Sequence, residues 1–242
     1  MSGEVHALRE FYAAPPGQVA ARLIGARIAA LWPHCKELDV LGLGWAAPYM
    51  GLWAGQRGRR IMLVPAAFGP MPGAALTEDG RLPLPDSSLD RILLVHSLEV
   101  SEGARGLLRE CWRVLRDDGR LLVIAPNRLG SWALFEHTPF GHGQPYSRGQ
   151  LKRLLQDQLF RVERRDTALF VPPFPWRFAL RGAGLWDRMG RRLAQRFAGV
   201  TLIEAEKDLL AAIPAGAARI RRRVVSPVPG TYARVRKDAP ER

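Results

Sequence analysis

Residues 136–146, EHTPFGHGQPY, bring two histidines and a tyrosine into one short stretch. His137, His142 and Tyr146 are side chains that can take up or release a proton near neutral pH, so the stretch can form a substrate pocket with a His or Tyr as general base. The same groups can instead tie a loop down by polar contacts. The H-x4-H spacing also suits a metal pair, but the intervening Pro and Gly break any helix, so the two imidazoles do not share a face. A second constellation lies at residues 37–50, ELDVLGLGWAAPYM. An apolar run (Leu38, Val40, Leu41, Leu43) leads to Gly42 and Gly44, and a stretch that can start a helix follows. Glycine lets the backbone turn sharply and approach a ligand, and a helix start offers free N–H donors. That is how an α/β domain builds a nucleotide pocket. Trp45, Ala46, Ala47 and Pro48 stand where a dinucleotide fingerprint has further glycines. Trp45 sits inside the turn and either stacks on the ligand or fills its place.

These groups need a scaffold, and the apolar pattern supplies one. Val19, Leu23, Ile24, Ile28 and Leu31 recur at helical spacing over 17–31. Strands are expected at 38–43, 60–64, 91–97, 120–125, 161–170 and 199–205, with a short strand and turn at 76–84. Helices are expected at 48–55, at 102–115, and after Ser147, an N-cap for RGQLKRLLQDQLF. A basic amphipathic helix is expected over 186–197. Asp117-Asp118-Gly119 should end the 102–115 helix with a turn. Strands alternating with helices predict a doubly wound α/β sandwich with a parallel sheet, whose ligands bind at the carboxyl ends of the strands. The candidate site is therefore Gly42–Tyr49, Pro65, His96–Glu99 and Asn127 onward. Tyr12, upstream of the first helix, either closes over a ligand or anchors a loop.

The composition bounds the class. The chain has 242 residues, 47% hydrophobic and 24% charged, enough for one large core. Apolar runs are broken by Arg or Pro well short of the ~18 residues a membrane span needs. The first residues lack an apolar signal stretch, and two distant cysteines without CxxC spacing suggest reduced thiols, so a cytosolic protein is expected. The net charge is +13. Residues 212–242 carry eight basic and two acidic side chains, so they supply 8 − 2 = +6 of it. That tail, expected to be poorly ordered, could contact nucleic acid or simply be solvated. The organisation expected is a helical segment over 1–36, the main domain over 37–210 and a basic tail over 211–242.

In order and motif the chain resembles the class I S-adenosylmethionine-dependent methyltransferases of the small bacterial type, over about residues 11–205. VLGLG (40–44), LPLPDSSLDRILLVHSLE (82–99), LLRECWRVLRDDGRLLVIAPN (107–127) and YSRGQLKRLLQDQLF (146–160) carry the resemblance. It implies a Rossmann-like three-layer sandwich with a seven-stranded sheet, parallel except for the last strand. It also implies S-adenosylmethionine as cofactor over the ends of strands 1 and 2. Gly42, Leu43, Gly44 and Trp45 would line its methionine and ribose, Pro65 would stand by the ribose, Glu78 and Asp79 by the adenine amine, and His96 beside it after strand 4. Gly42 replaces a usual acidic residue, and no Asp or Glu occurs from Val40 through Thr77 to hold the ribose hydroxyls. The expected function is methyl transfer to a small-molecule or lipid-like acceptor. The alternative is a silent methyltransferase-like binding or partner protein. Nucleic-acid methylation is a third reading, but the chain lacks the (N/D)PP(Y/F) motif and the Pro-Cys nucleophile.

Overall fold

The computed structural model describes residues 2–78, 80–101, 103–134, 138, 140, 145–170 and 197–212. Residues 1–212 form one compact unit and residues 213–242 a second, and the second lies outside the described residues, as do residues 186–196 of the helix expected over 186–197. The nucleic-acid expectation rests on that second unit.

Seven strands make one sheet. They are β1 (Val40–Gly44), β2 (Arg60–Pro65), β3 (Ala75–Thr77), β4 (Leu89–Val95), β5 (Leu115–Pro126), β6 (Phe160–Ala168) and β7 (Val200–Lys207). Their order is β3-β2-β1-β4-β5-β7-β6. The first five pair in parallel, and β7 runs antiparallel to both β5 and β6. The central strands are apolar on both sides because helices cover both faces: β1 is buried throughout and β4 nearly so. One face packs against α2 (Pro15–Leu31) through Leu23, Ile24 and Ile28; the other packs against α4 (Ala104–Val114) through Leu107, Leu108 and Cys111. A long apolar stripe on α2 and Pro15 in its first turn explain where that helix begins and which side it buries. The helix α5 (Arg148–Asp157) starts on a capping box, with Ser147 Oγ accepting from Gln150 N–H and Gln150 Oε1 accepting from Ser147 N–H.

Two local expectations differ from what folds. The helical segment expected over 1–36 is two helices, α2 and, before residue 15, α1 (Ser2–Ala13). Its corner with α2 is so tight that a Cβ at Gly17 would lie 1.9 Å from the Phe11 carbonyl oxygen. The helix after β1 is short, a four-residue α3 (Ala47–Met50) running into a single 3-10 turn, Gly51–Trp53, so it contributes little of a helix dipole. Asp117-Asp118-Gly119 does not release the chain into a separate turn. Leu115 already pairs with Leu89, and Arg120 pairs with Arg91, so residues 116–119 are absorbed as an irregularity inside β5.

Both cysteines are free and buried. Burial pushes the Cys111 thiol up to about 12 and raises that of Cys35 as well. The thiolate is the reactive form. Ellman's reagent at pH 8 should therefore label neither thiol in the native protein and both after denaturation. Stoichiometric labelling within minutes of native protein would show that α4 or the connection between α2 and β1 opens readily.

Candidate functional site

The order β3-β2-β1-β4 lines up four carboxyl ends side by side, and the candidate residues fall along that edge. Gly44 ends β1 opposite Val95, with φ +78. A Cβ there would lie 1.9 Å from Ser97 Oγ and 2.3 Å from the Val95 carbonyl oxygen. The next amide, Trp45 N–H, donates to that same carbonyl at 2.9 Å. The chain thus folds down over the end of β4 and sets the Trp45 indole above it, nearly buried.

His96 follows β4 and has φ +51, a left-handed conformation that costs a non-glycine residue about 1 kcal/mol or more. That turn aims the imidazole back over the sheet. Its Nδ1 lies 2.8 Å from Glu99 Oε1 and its Nε2 lies 2.9 Å from the Tyr12 hydroxyl oxygen. The His96 and Glu99 side chains are 1% and 2% exposed. With Glu99 a carboxylate and His96 neutral, Nδ1 donates to Glu99, Nε2 presents its lone pair, and the Tyr12 hydroxyl donates to it. Burial first, then Tyr49 and the Glu99 charge, hold the Tyr12 phenol well above its ordinary value, so it stays protonated. Tyr12 stacks on Trp45, ring centroids 5.7 Å apart at 26°. Phe11 meets Trp132 and Phe140 edge-on, and Phe140 lies 5.1 Å from the His96 ring. Three buried polar atoms at this end stand out. Among the described residues Trp45 Nε1 and Glu99 Oε2 have no hydrogen-bond partner, and the Tyr49 hydroxyl faces that of Tyr12 without good hydrogen-bond geometry.

Other expected site residues are placed as follows. Gly42 lies beneath two thioethers: a Cβ there would be 2.6 Å from Met62 Sδ and 2.9 Å from Met50 Sδ. Leu43 points to the opposite face, into the core against α4, so only its backbone can serve the site. Pro65 ends β2, buried, and offers neither an N–H nor a carboxylate. Glu78 follows β3 and, with Leu76, Thr77, Arg81 and Pro83, lines a cleft of about 270 Å³. Tyr146 bridges to Asn127 beyond β5 and donates to the Leu98 carbonyl at 3.4 Å; burial and then the Glu99 charge raise its phenol. Asp79, His137 and His142 lie outside the described residues. Sequence reasoning names the stretch His96–Glu99 and gives Tyr12 as a residue that closes over a ligand or anchors a loop; what it does not give is that the Tyr12 hydroxyl meets His96.

The family model described as a methyltransferase domain matches residues 69–123, from the β2–β3 connection into β5. A protein of Mycolicibacterium smegmatis named as a probable S-adenosylmethionine-dependent methyltransferase is 34% identical over 84 residues, 34% of this chain and 32% of that protein. The match thus spans about a third of the length of that relative. Among solved structures, a SAM-dependent methyltransferase of Thermotoga maritima, described as a possible histamine N-methyltransferase, superposes with a TM-score of 0.58 at 16% identity, covering 83% of this chain and 94% of that one. The fold is that of the class I S-adenosylmethionine-dependent methyltransferases, and residues 69–123 match their domain model. A geranyl diphosphate C-methyltransferase of Streptomyces coelicolor shares the fold with a TM-score of 0.52 at 17% identity, over 77% of this chain and 80% of that one.

The residues at this end of the sheet fit the methionine end of S-adenosylmethionine. An unpartnered indole N–H and an unpartnered carboxylate oxygen, both buried, suit a ligand group that brings one acceptor and one donor, as an amino-acid end does. The ribose end meets a poorer donor set, since β2 closes on Pro65 where a carboxylate would accept from the hydroxyls.

Proposed function

We propose that the chain is an S-adenosylmethionine-dependent methyltransferase whose acceptor is a small, apolar or lipid-like molecule. One observation carries the reading: Trp45 Nε1 and Glu99 Oε2 are buried and unpartnered beside the Gly44 turn, where β1 and β4 end together. The Trp45 indole would donate to the cofactor's carboxylate and Glu99 Oε2 would accept from its ammonium. The cleft at Thr77 and Glu78 is the counterpart for the adenine end. When bound, the cofactor supplies an electrophilic methyl group on a sulfonium, so the protein's task is alignment and exclusion of water. Phe11, Trp132 and Phe140 give the acceptor side apolar walls. Tyr146 and, from the stretch outside the described residues, His137 and His142 are proposed on that side.

A second reading, a silent binding or partner protein, is favoured by Pro65. Loss of a charge-assisted contact to the ribose is worth about 1.5–3 kcal/mol, roughly a 10–100-fold loss of affinity. Calorimetric titration with S-adenosylhomocysteine separates the two. Binding in the micromolar range is expected, weakened roughly fivefold in Trp45→Phe, which keeps the ring against Tyr12 and removes the N–H, worth about 1 kcal/mol. No heat at millimolar ligand would overturn the enzyme reading and leave the silent one.

A further inference from the structure

Tyr12, His96 and Glu99 form a continuous hydrogen-bonded line from α1 to the loop after β4, and nothing in the methyl-donor chemistry itself requires it. The Glu99 carboxylate accepts from His96 Nδ1 at 2.8 Å, and His96 Nε2 accepts from the Tyr12 hydroxyl at 2.9 Å. The line is costly to hold. The imidazole and carboxylate are almost fully buried, and His96 takes a left-handed backbone. A packing role alone would be met more simply by apolar side chains. From these features the geometry points to a proton relay that deprotonates a hydroxyl acceptor, with Tyr12 as the group that touches it.

This inference rests on the methyltransferase reading and names the acceptor class. Methylating a carboxylate or a phosphate releases no proton, so such an acceptor needs no relay. A phenol or alcohol does release one. The acceptor O–H breaks and its proton goes to Tyr12 Oη as the Tyr12 proton passes to His96 Nε2. The resulting imidazolium is held by the Glu99 carboxylate. An electron pair of the acceptor oxygen forms the bond to the methyl carbon, and the pair from the broken sulfonium bond stays on sulfur. The raised Tyr12 phenol suits a carrier that is never left ionised. Apolar walls from Phe11, Trp132 and Phe140 favour an uncharged acceptor over an ammonium. His96 and Glu99 act through Tyr12 and are positioning residues.

The test uses the full chain with radiolabelled S-adenosylmethionine and a panel of phenol, benzyl alcohol, aniline and benzoate. S-adenosylhomocysteine affinity and melting temperature are measured on the same variants. Phenol or benzyl alcohol should be methylated. Tyr12→Phe should keep the ligand affinity, the melting temperature and the acceptor KM within about threefold and lower kcat by about 100-fold, the size of a general-base contribution. Glu99→Gln should lower kcat likewise. A readout apart from turnover is the His96 Nε2 resonance in 15N-histidine-labelled protein loaded with S-adenosylhomocysteine, which should shift on adding phenol. An unshifted resonance, a wild-type kcat in Tyr12→Phe, transfer to aniline or benzoate in place of the hydroxyls, or no transfer to either hydroxyl by a chain that binds S-adenosylhomocysteine would each overturn the relay. Failure of the wild type to bind S-adenosylhomocysteine would instead remove the underlying methyltransferase reading, and the relay with it.

Discussion

Gly44→Ala should lower stability by about 4 kcal/mol or more, a large share of the ~5–15 kcal/mol that holds a typical domain folded. Two terms add. A residue with a side chain pays about 1 kcal/mol to sit at φ +78. The second term is steric and larger: the new Cβ would lie 2.3 Å from the Val95 carbonyl oxygen and 1.9 Å from Ser97 Oγ. Ser97 can rotate, but the carbonyl cannot retreat. It belongs to β4, which is paired to β1 on one side and β5 on the other, and it already accepts from Trp45 N–H. Gly55 is the control, because it has φ +77 with nothing within 4 Å of an added Cβ. Urea denaturation of Gly44→Ala and Gly55→Ala isolates the collision from the backbone cost. Equal penalties would show that β1 and β4 part easily at this end. The same geometry means that variants of Gly44 report on folding before they report on any ligand.

Glu204→Ala should cost about 3–5 kcal/mol at pH 7. Glu204 is 0% exposed in the middle of β7, yet three donors converge on it: Trp32 Nε1 at 2.8 Å, Arg120 at 3.3 Å, and Arg164. It ties the end of α2 to β5 and β6, and Arg164 also donates to the Leu31 carbonyl. Burial pushes the carboxyl up. The hydrogen bonds from Arg164 and Trp32 and the Arg164 charge pull it down by more, so it rests below its ordinary value. A carboxyl with a depressed folded value adds stability that is fully present above its unfolded value, about 4.3, and lost as pH falls through the folded one. The Glu204→Ala penalty should therefore be largest near neutrality and shrink below about pH 4, as measured by denaturant unfolding across pH. A penalty constant from pH 7 to pH 3 would assign the whole effect to packing.

How much of this was legible in the sequence varies by residue. Strands such as 91–97 showed because a strand buried on both faces is a bare apolar run. The N-cap at Ser147 showed because its chemistry is local. The bounds of α1 inside the helical segment expected over 1–36 did not, since SGEVHALREFYA has no sustained apolar stripe and is held by what Leu8, Phe11 and Tyr12 meet elsewhere. Asp117-Asp118-Gly119 carries good turn chemistry, but the Leu89–Leu115 pairing had already committed the chain to the sheet. At the site, the glycine turn and His96 were visible as motifs. Tyr12 is 84 residues from His96, and no spacing rule spans that distance. The polar partners that give His96 its orientation are set by the closing of the helix corner at Gly17, which is a property of the fold.

The strand order has a consequence for how the chain comes to be made. Among the described residues β6 pairs only with β7, and β7 is the later of the two in sequence while lying between β5 and β6. During synthesis from the N-terminus, the five parallel strands can assemble first, with β5 as a temporary rim. The arriving β6 then has no neighbour to pair with until residues 200–207 have been added. Through that interval the nascent chain presents one open rim and one unpaired segment, both able to add a strand from another molecule. A ribosome pause placed after β6 would lengthen the interval and raise the yield of aggregated product, while a pause after β7 would not.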